Sequence, residues 1–248
     1  MNKKIIKIAL LSVSMLVAVA PAINANIPAM KEAFPQIPLS MVEMITTIPS
    51  LFLMISVLTS GFIAKKIGYK QTIMLGLGIV AISGIIPVFI GNFYLVLFSR
   101  AALGFGIGLF NSLLIGLISY FFDGNERTTI IGYHEALGGL GGMLITYIAG
   151  QLMHVNWQAP FISYAIAIPV FFIFWKVIPK VKTEDILHKN TKQVVVNDGK
   201  EGNFSIVFVF MILIVIGATL NMTMGIKVSS LIVEQGYGSA SDASTVIM

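Results

Sequence analysis

The chain has 248 residues, 56% of them hydrophobic and 11% charged, with a formal net charge of +5 and no cysteine. So little charge cannot cover a water-soluble surface, and the bases sit between apolar runs instead of along one face, which argues against a nucleic-acid partner. The absence of cysteine removes disulfide frameworks and thiolate metal sites.

Crossing about 30 Å of hydrocarbon takes about 20 helical residues with every backbone polar group bonded internally. By that ruler the chain is an all-α, polytopic membrane protein. Uncharged runs cover 8–30, 44–64, 71–99, 101–122, 136–175 and 202–226. The run 71–99 breaks at the turn pair Gly91-Asn92, leaving one helix over 72–90 and another from 93 that continues through Arg100 to 122. The run 136–175 breaks at His154-Val155-Asn156-Trp157-Gln158, a polar stretch with an interfacial tryptophan. Six spans therefore end by residue 178, a seventh covers 204–227, and an eighth starts near Asp242 and is cut at Met248. The basic start, apolar middle and small polar stretch Asn24-Ala25-Asn26 also resemble a signal peptide. The apolar run extends past Pro21 and further spans follow, so the expectation is an uncleaved first helix.

Lys3, Lys4 and Lys7 precede span one, Lys65, Lys66 and Lys70 separate spans two and three, and Arg127 separates four and five. Lys176, Lys180, Lys182, Lys189, Lys192 and Lys200 follow span six. With alternating spans all of these share one side, and only Lys31 and Lys227 fall on the other. The positive-inside rule then puts the amino terminus and the 179–203 segment in the cytoplasm. That segment reads as a solvated linker, with a short amphipathic surface helix over 183–192 as the alternative. The expected organisation is a six-helix bundle over 1–178, a cytoplasmic linker over 179–203, and a seventh helix with the start of an eighth over 204–248.

Gly61-Phe62-Ile63-Ala64-Lys65-Lys66-Ile67-Gly68-Tyr69-Lys70 resembles the loop signature of the major facilitator superfamily. Gly61, Ala64, Lys66, Gly68 and Lys70 match it; Lys65 stands where the family usually has aspartate, and Tyr69 where it often has arginine. The resemblance implies a cytoplasmic gating motif, and Lys65 removes the acidic member of its charge network. Gly61 would allow close helix contact and Gly68 a tight reversal before span three. In span four, Arg100, Gly104, Gly106 and Gly108 resemble the family pattern of an arginine followed by spaced glycines. An arginine inside a span costs roughly 2.5–3.5 kcal/mol on insertion scales and generally faces protein or a water-filled cavity; snorkelling is the alternative. The implied role of Arg100 is coupling or substrate binding, with Gly104 and Gly108 four apart on one face. Span five carries Gly138, Gly139, Gly141 and Gly142 and is similar to the glycine-rich fifth helix of proton-coupled exporters, without that signature's proline; helix packing alone also explains its glycines.

His134 and Glu135 are assigned to the interfacial cluster with Asp123, Glu126 and Arg127, and Glu43 to solvent at the outer start of span two. Asn24, Asn111 and Asn221 are possible polar groups of a central cavity, with bonding between helices as the alternative. No acidic residue lies deep in a span. Phosphate loops, zinc motifs and nucleophile elbows are absent, so neither an ATP-driven pump nor an enzyme is expected, and no cofactor or metal.

The resemblance implies twelve helices in two bundles with a substrate between them, of which this chain holds the first bundle and the start of the second, as a carboxy-terminally truncated transporter. The expected function is secondary transport of a small solute in the bacterial cytoplasmic membrane, coupled to protons, in a drug-exporter-like subgroup. An uptake permease for an organic anion or sugar is the alternative within the class, and a non-transporting membrane receptor or regulatory partner the alternative outside it.

Overall fold

In the computed structural model, which describes residues 3–181, 183–186, 189 and 204–235, the chain is helical almost throughout, with no strand among the described residues. The first span is broken. Helix α1 (Lys3–Ser14) gives way to a turn, a 3-10 segment over Ala20–Asn26 and a short α2 (Ile27–Ala33). Pro21 and Pro28 are the second residues of the two later pieces; neither has an N–H to donate, so a continuous α-helical ladder cannot form there. The single helix expected over 8–30 is thus corrected to three pieces.

Helices α3 (Leu39–Ile67), α4 (Tyr69–Phe89), α5 (Phe93–Phe121) and α6 (Gly124–Leu152) follow. Span six begins as a 3-10 segment, Ala159–Ile166, and becomes α7 (Ala167–Val177), while α8 covers Phe204–Glu234. By length and composition α3, α4, α5 and the continuous Ala159–Val177 stretch can each cross a membrane. The breaks fall where the polar pairs stand. Asn92 caps α5, its side chain accepting from the Tyr94 and Leu95 amides at 3.0 and 3.3 Å, and Asn156 accepts from the Gln158 and Ala159 amides at 3.0 and 2.7 Å. Gly68 joins α3 to α4 with φ at 95°, in the left-handed region that only glycine enters without strain. The eighth span expected near Asp242 lies outside the described residues.

Helix α5 is the axis of the bundle. It buries 67% of its apolar stretch, against 28% for α3, and packs between α3 and α4. Within a bilayer, helices do not gain hydrophobic energy by meeting, so close backbone approach and interhelical hydrogen bonds must hold them. Both are present. A Cβ built on Gly104 would enter the Pro49 backbone of α3, and one on Gly108 would lie 2.5 Å from the Leu53 carbonyl. One turn away, Ser56 donates to the Phe105 carbonyl at 2.6 Å and Ser60 pairs with Ser112 at 2.9 Å. On the other face Gly106 meets Gly76 of α4, where a Cβ would come within 2.8 Å of the Gly76 carbonyl. Gly61 behaves otherwise: it is exposed, and a Cβ there would meet nothing within 4 Å. The close contact expected at Gly61 is absent among the described residues, because the seam between α3 and α5 closes at Gly104 and Gly108 instead.

The basic islands converge on one end of the bundle. Lys70 donates to the Trp175 carbonyl at the end of α7, at 2.7 Å; Thr183 donates to the Ala64 carbonyl at 3.0 Å; Lys189 pairs with Asp123 at 2.9 Å and donates to the Tyr120 carbonyl at 2.7 Å. Lys7 stands 4.9 Å from the Tyr133 ring near the start of α6. At the opposite end Lys227 of α8 pairs with Glu43 of α3 at 2.9 Å. Glu43, assigned to solvent from the sequence, therefore ties the seventh helix to the first bundle. The described part of the linker also departs from a solvated segment, since Ile186 is fully buried and Thr183 and Lys189 dock on the bundle.

The glycine seam sets a contrast in stability. Gly104→Ala is expected to destabilise the fold by about 1–3 kcal/mol by overpacking, whereas Gly61→Ala, with open space around it, should be neutral or stabilise by up to about 1 kcal/mol through helix propensity. Thermal unfolding in detergent micelles, followed by tryptophan fluorescence, separates the two.

Candidate functional site

The break in the first span is where the one buried Lys or Arg among the described residues resides. Arg100 is fully buried, toward the amino-terminal end of α5. Its Nη2 donates to the Ala20 carbonyl at 2.6 Å, and the guanidinium carbon lies 5.2 Å from the Tyr164 ring centroid. Tyr164, from the 3-10 start of span six, donates its hydroxyl to the Val19 carbonyl at 3.2 Å and reaches the Ala20 carbonyl at 3.5 Å. Three spans thus meet on one stretch of irregular backbone. The sequence places each part: the proline after Ala20 disrupts the helix there, and Gly84 of α4 admits Tyr164, since a Cβ on Gly84 would lie 2.5 Å from the Tyr164 Cβ. The snorkelling alternative for Arg100 does not hold.

This cluster is incompletely satisfied. Arg100 Nε and Nη1 have no hydrogen-bond partner, and neither do the side-chain oxygens of Asn24 and Asn26 on the same 3-10 segment. The Asn26 amide donates to the Trp157 carbonyl at 2.7 Å, joining the first span to the loop before span six. No carboxylate pairs with Arg100 among the described residues, so the cluster retains a buried charge and two idle donor nitrogens. Such groups cost free energy in a static bundle and are kept where function uses them. Asn26, with Asn24, was legible as a polar residue ending the first span; Tyr164 was not singled out by sequence reasoning.

Of the remaining sequence candidates, Asn111 is half-buried on α5 and apart from the break. Asn221 falls on α8 at a position whose side chain lies outside the described ones. In α6 the glycines divide. A Cβ on Gly141 would enter the Met15 backbone and one on Gly142 would lie 2.8 Å from the Ala18 carbonyl, both in the unwound part of the first span; at Gly138 the contact would be an ordinary 3.6 Å, and at Gly139 there would be none. His134, expected at the interface, is instead buried, with Nδ1 2.8 Å from the Ser14 hydroxyl at the end of α1. The crossing of α6 over α1 covers it, while Glu135, the next residue, stays exposed. In the 2–3 loop, Lys65 is exposed with its ammonium 6.0 Å from the Phe62 ring, and Lys66 lies with Gly68 and Lys70 along a cleft facing the linker. The structure therefore brings Arg100 and Asn24 to one element junction and leaves the loop lysines at the basic end.

A family profile described as the Major Facilitator Superfamily matches residues 8–248. The chain belongs to that superfamily. Among solved structures, a D-xylose-proton symporter is similar over 98% of this chain and 64% of its own, with a TM-score of 0.71 and 14% identity. The xylose transporter XylE from E. coli, in an inward open conformation, is similar over 81% of this chain and 58% of its own, with a TM-score of 0.66 and 13% identity. The proton:xylose symporter XylE bound to 6-bromo-6-deoxy-D-glucose is similar over 75% and 49%, with a TM-score of 0.65 and 14% identity. At these identities the likeness carries the fold. No curated protein matches the chain. This member of the Major Facilitator Superfamily spans between 49% and 64% of the length of those structures, covering a first six-span bundle and the helix that follows it.

The Tyr164 contacts yield a graded expectation. Tyr164→Phe removes one hydroxyl donor and should cost about 1 kcal/mol. Tyr164→Leu also removes the ring beside the guanidinium and should cost about 1–2 kcal/mol more. Thermal unfolding of both variants measures the difference.

Proposed function

We propose that the whole protein containing this chain is a secondary transporter that moves a small polar solute across the bacterial cytoplasmic membrane by alternating access. The observation that carries the reading is the buried, unpaired Arg100 at the break in the first span, in a bundle of this superfamily. The proposed division is a first bundle over 1–178, a linker over 179–203 and the beginning of a second bundle from 204, with the amino terminus and linker cytoplasmic. The solute binds between the bundles. Arg100, enclosed within the first bundle, acts as a coupling residue: its idle donors offer a place for an anion or for a proton-bearing group to register as the first span moves. Asn24 presents an unpaired carbonyl oxygen to the same junction. Protons are the proposed coupling ion.

For the solute, a sugar or organic anion suits a bundle that carries this buried positive charge better than a cationic drug. A buried positive charge without a counter-ion repels cations, and the neighbouring folds named above are xylose transporters. Efflux of drug-like compounds is the second reading; it rests on Gly141 and Gly142 of α6 packing on the unwound first span, in the run that resembles the exporter pattern.

Two assays on the full-length protein separate the readings. In whole cells, uptake of radiolabelled pentoses or small carboxylates that collapses with a protonophore is the expected result. Proton-dependent accumulation of cationic dyes in everted vesicles, with no uptake in cells, would establish efflux instead.

A further inference from the structure

The 2–3 loop, stripped of its usual acidic residue, borders a cleft of about 720 Å³ at the basic end of the bundle. Lys65, Lys66 and Lys70 line one wall, Lys180 and Glu184 of the linker the other. Four ammonium groups face one carboxylate, and none of the four has an ion-pair partner among the described residues. Gly68 caps α4 without a side chain, so the amino-terminal end of that helix opens to the same space and adds its partial positive charge. Lys70 is fixed by its bond to the Trp175 carbonyl.

A second cleft of about 680 Å³ continues from the first. The two share Lys66, Ile67 and Gln71, and the second runs on past Met74 and Leu75 of α4 to Phe171 of α7. Leu75 lies one helical turn beyond Gln71 and is exposed, on the face where α4 and α7 pack together. The basic chamber at the membrane surface thus leads directly into an apolar groove along two spans. A soluble anion has no use for the groove, and a neutral lipid none for the lysines.

We propose that this composite cleft binds one anionic phospholipid, its phosphate among Lys65, Lys66 and Lys180 and an acyl chain along Leu75 and Phe171. Anionic lipids are drawn to juxtamembrane lysines, and here the lysines are held around a cavity instead of being dispersed. Lys65 is central to the selectivity: the aspartate usual at this position would place a second carboxylate beside the phosphate and repel it. The bound lipid would bridge the 2–3 loop to the linker, two segments already joined by Thr183 and the Ala64 carbonyl.

The test is native mass spectrometry of the full chain released from nanodiscs of equal phosphatidylglycerol and phosphatidylcholine. One phosphatidylglycerol retained in preference to phosphatidylcholine is expected; Lys66→Gln should weaken retention by about fivefold and the charge reversal Lys65→Asp by about twenty-five-fold. Lys7→Gln removes a charge from the same end, outside the cleft, and should leave retention unchanged. Retention should also fall with added salt in the unaltered protein, which needs no variant to fold. Equal retention of both lipids, an equal loss with Lys7→Gln, or displacement of the lipid by glycerol 3-phosphate at matched concentration would overturn the proposal, the last by showing a site for the headgroup alone.

Discussion

Everything around the first span depends on a guanidinium buried without a carboxylate. Taking an arginine into the bundle costs several kcal/mol, and the recovered contacts are few: the Ala20 carbonyl at 2.6 Å and the face of Tyr164. Those contacts fall where the first span leaves α-helical geometry. Pro21 lacks the N–H that an α-helix would bond four residues back, at Val17, so the α-helical ladder breaks beside this junction, and Arg100 and Tyr164 bond the Ala20 and Val19 carbonyls where the 3-10 segment begins. Span six contributes Tyr164 from a 3-10 segment of its own, so both partners of Arg100 lie on irregular backbone.

The rest of the packing makes that junction possible. With no hydrophobic gain from helix association in lipid, α5 is held by glycine contacts on two faces, Gly104 and Gly108 to α3 and Gly106 to Gly76 of α4. This rigid three-helix slab fixes the position of Arg100. The first span, by contrast, is in short pieces held by single bonds: Asn26 to Trp157, His134 to Ser14, Gly141 and Gly142 against its backbone. A stiff slab beside a segmented helix is an arrangement in which the segmented part is the one free to move.

Period and charge made the span limits legible, because Gly91-Asn92 and the 154–158 stretch carry polar groups that only a surface can satisfy. Arg100 and its glycines were legible as well, since their spacing marks one helix face. The broken first span was not: Pro21 and Pro28 were visible, but an apolar run gives no sign of whether a proline kinks a helix or divides it, which depends on distant partners such as Arg100 and Tyr164 that bond the backbone there. His134 was misplaced because distance from a loop does not reveal what covers a residue, here the crossing of α1. Glu43 does keep contact with solvent, but its partner Lys227, 184 residues away, was not legible. Gly61 shows the converse, a small residue in a familiar motif with no helix against it.

The central claim is that Arg100 is retained for movement and not for stability. Arg100→Met in the full-length protein tests it most directly, with melting temperature and solute flux measured on the same preparation. Replacing a buried, poorly paired charge by an apolar side chain of similar size is neutral or stabilising, and the Ala20 carbonyl keeps Tyr164. The account predicts an unchanged or higher melting temperature with flux reduced by at least about tenfold, equivalent to about 1.4 kcal/mol in the barrier. A melting temperature that falls while flux per folded molecule stays at the level of the unaltered protein would contradict it.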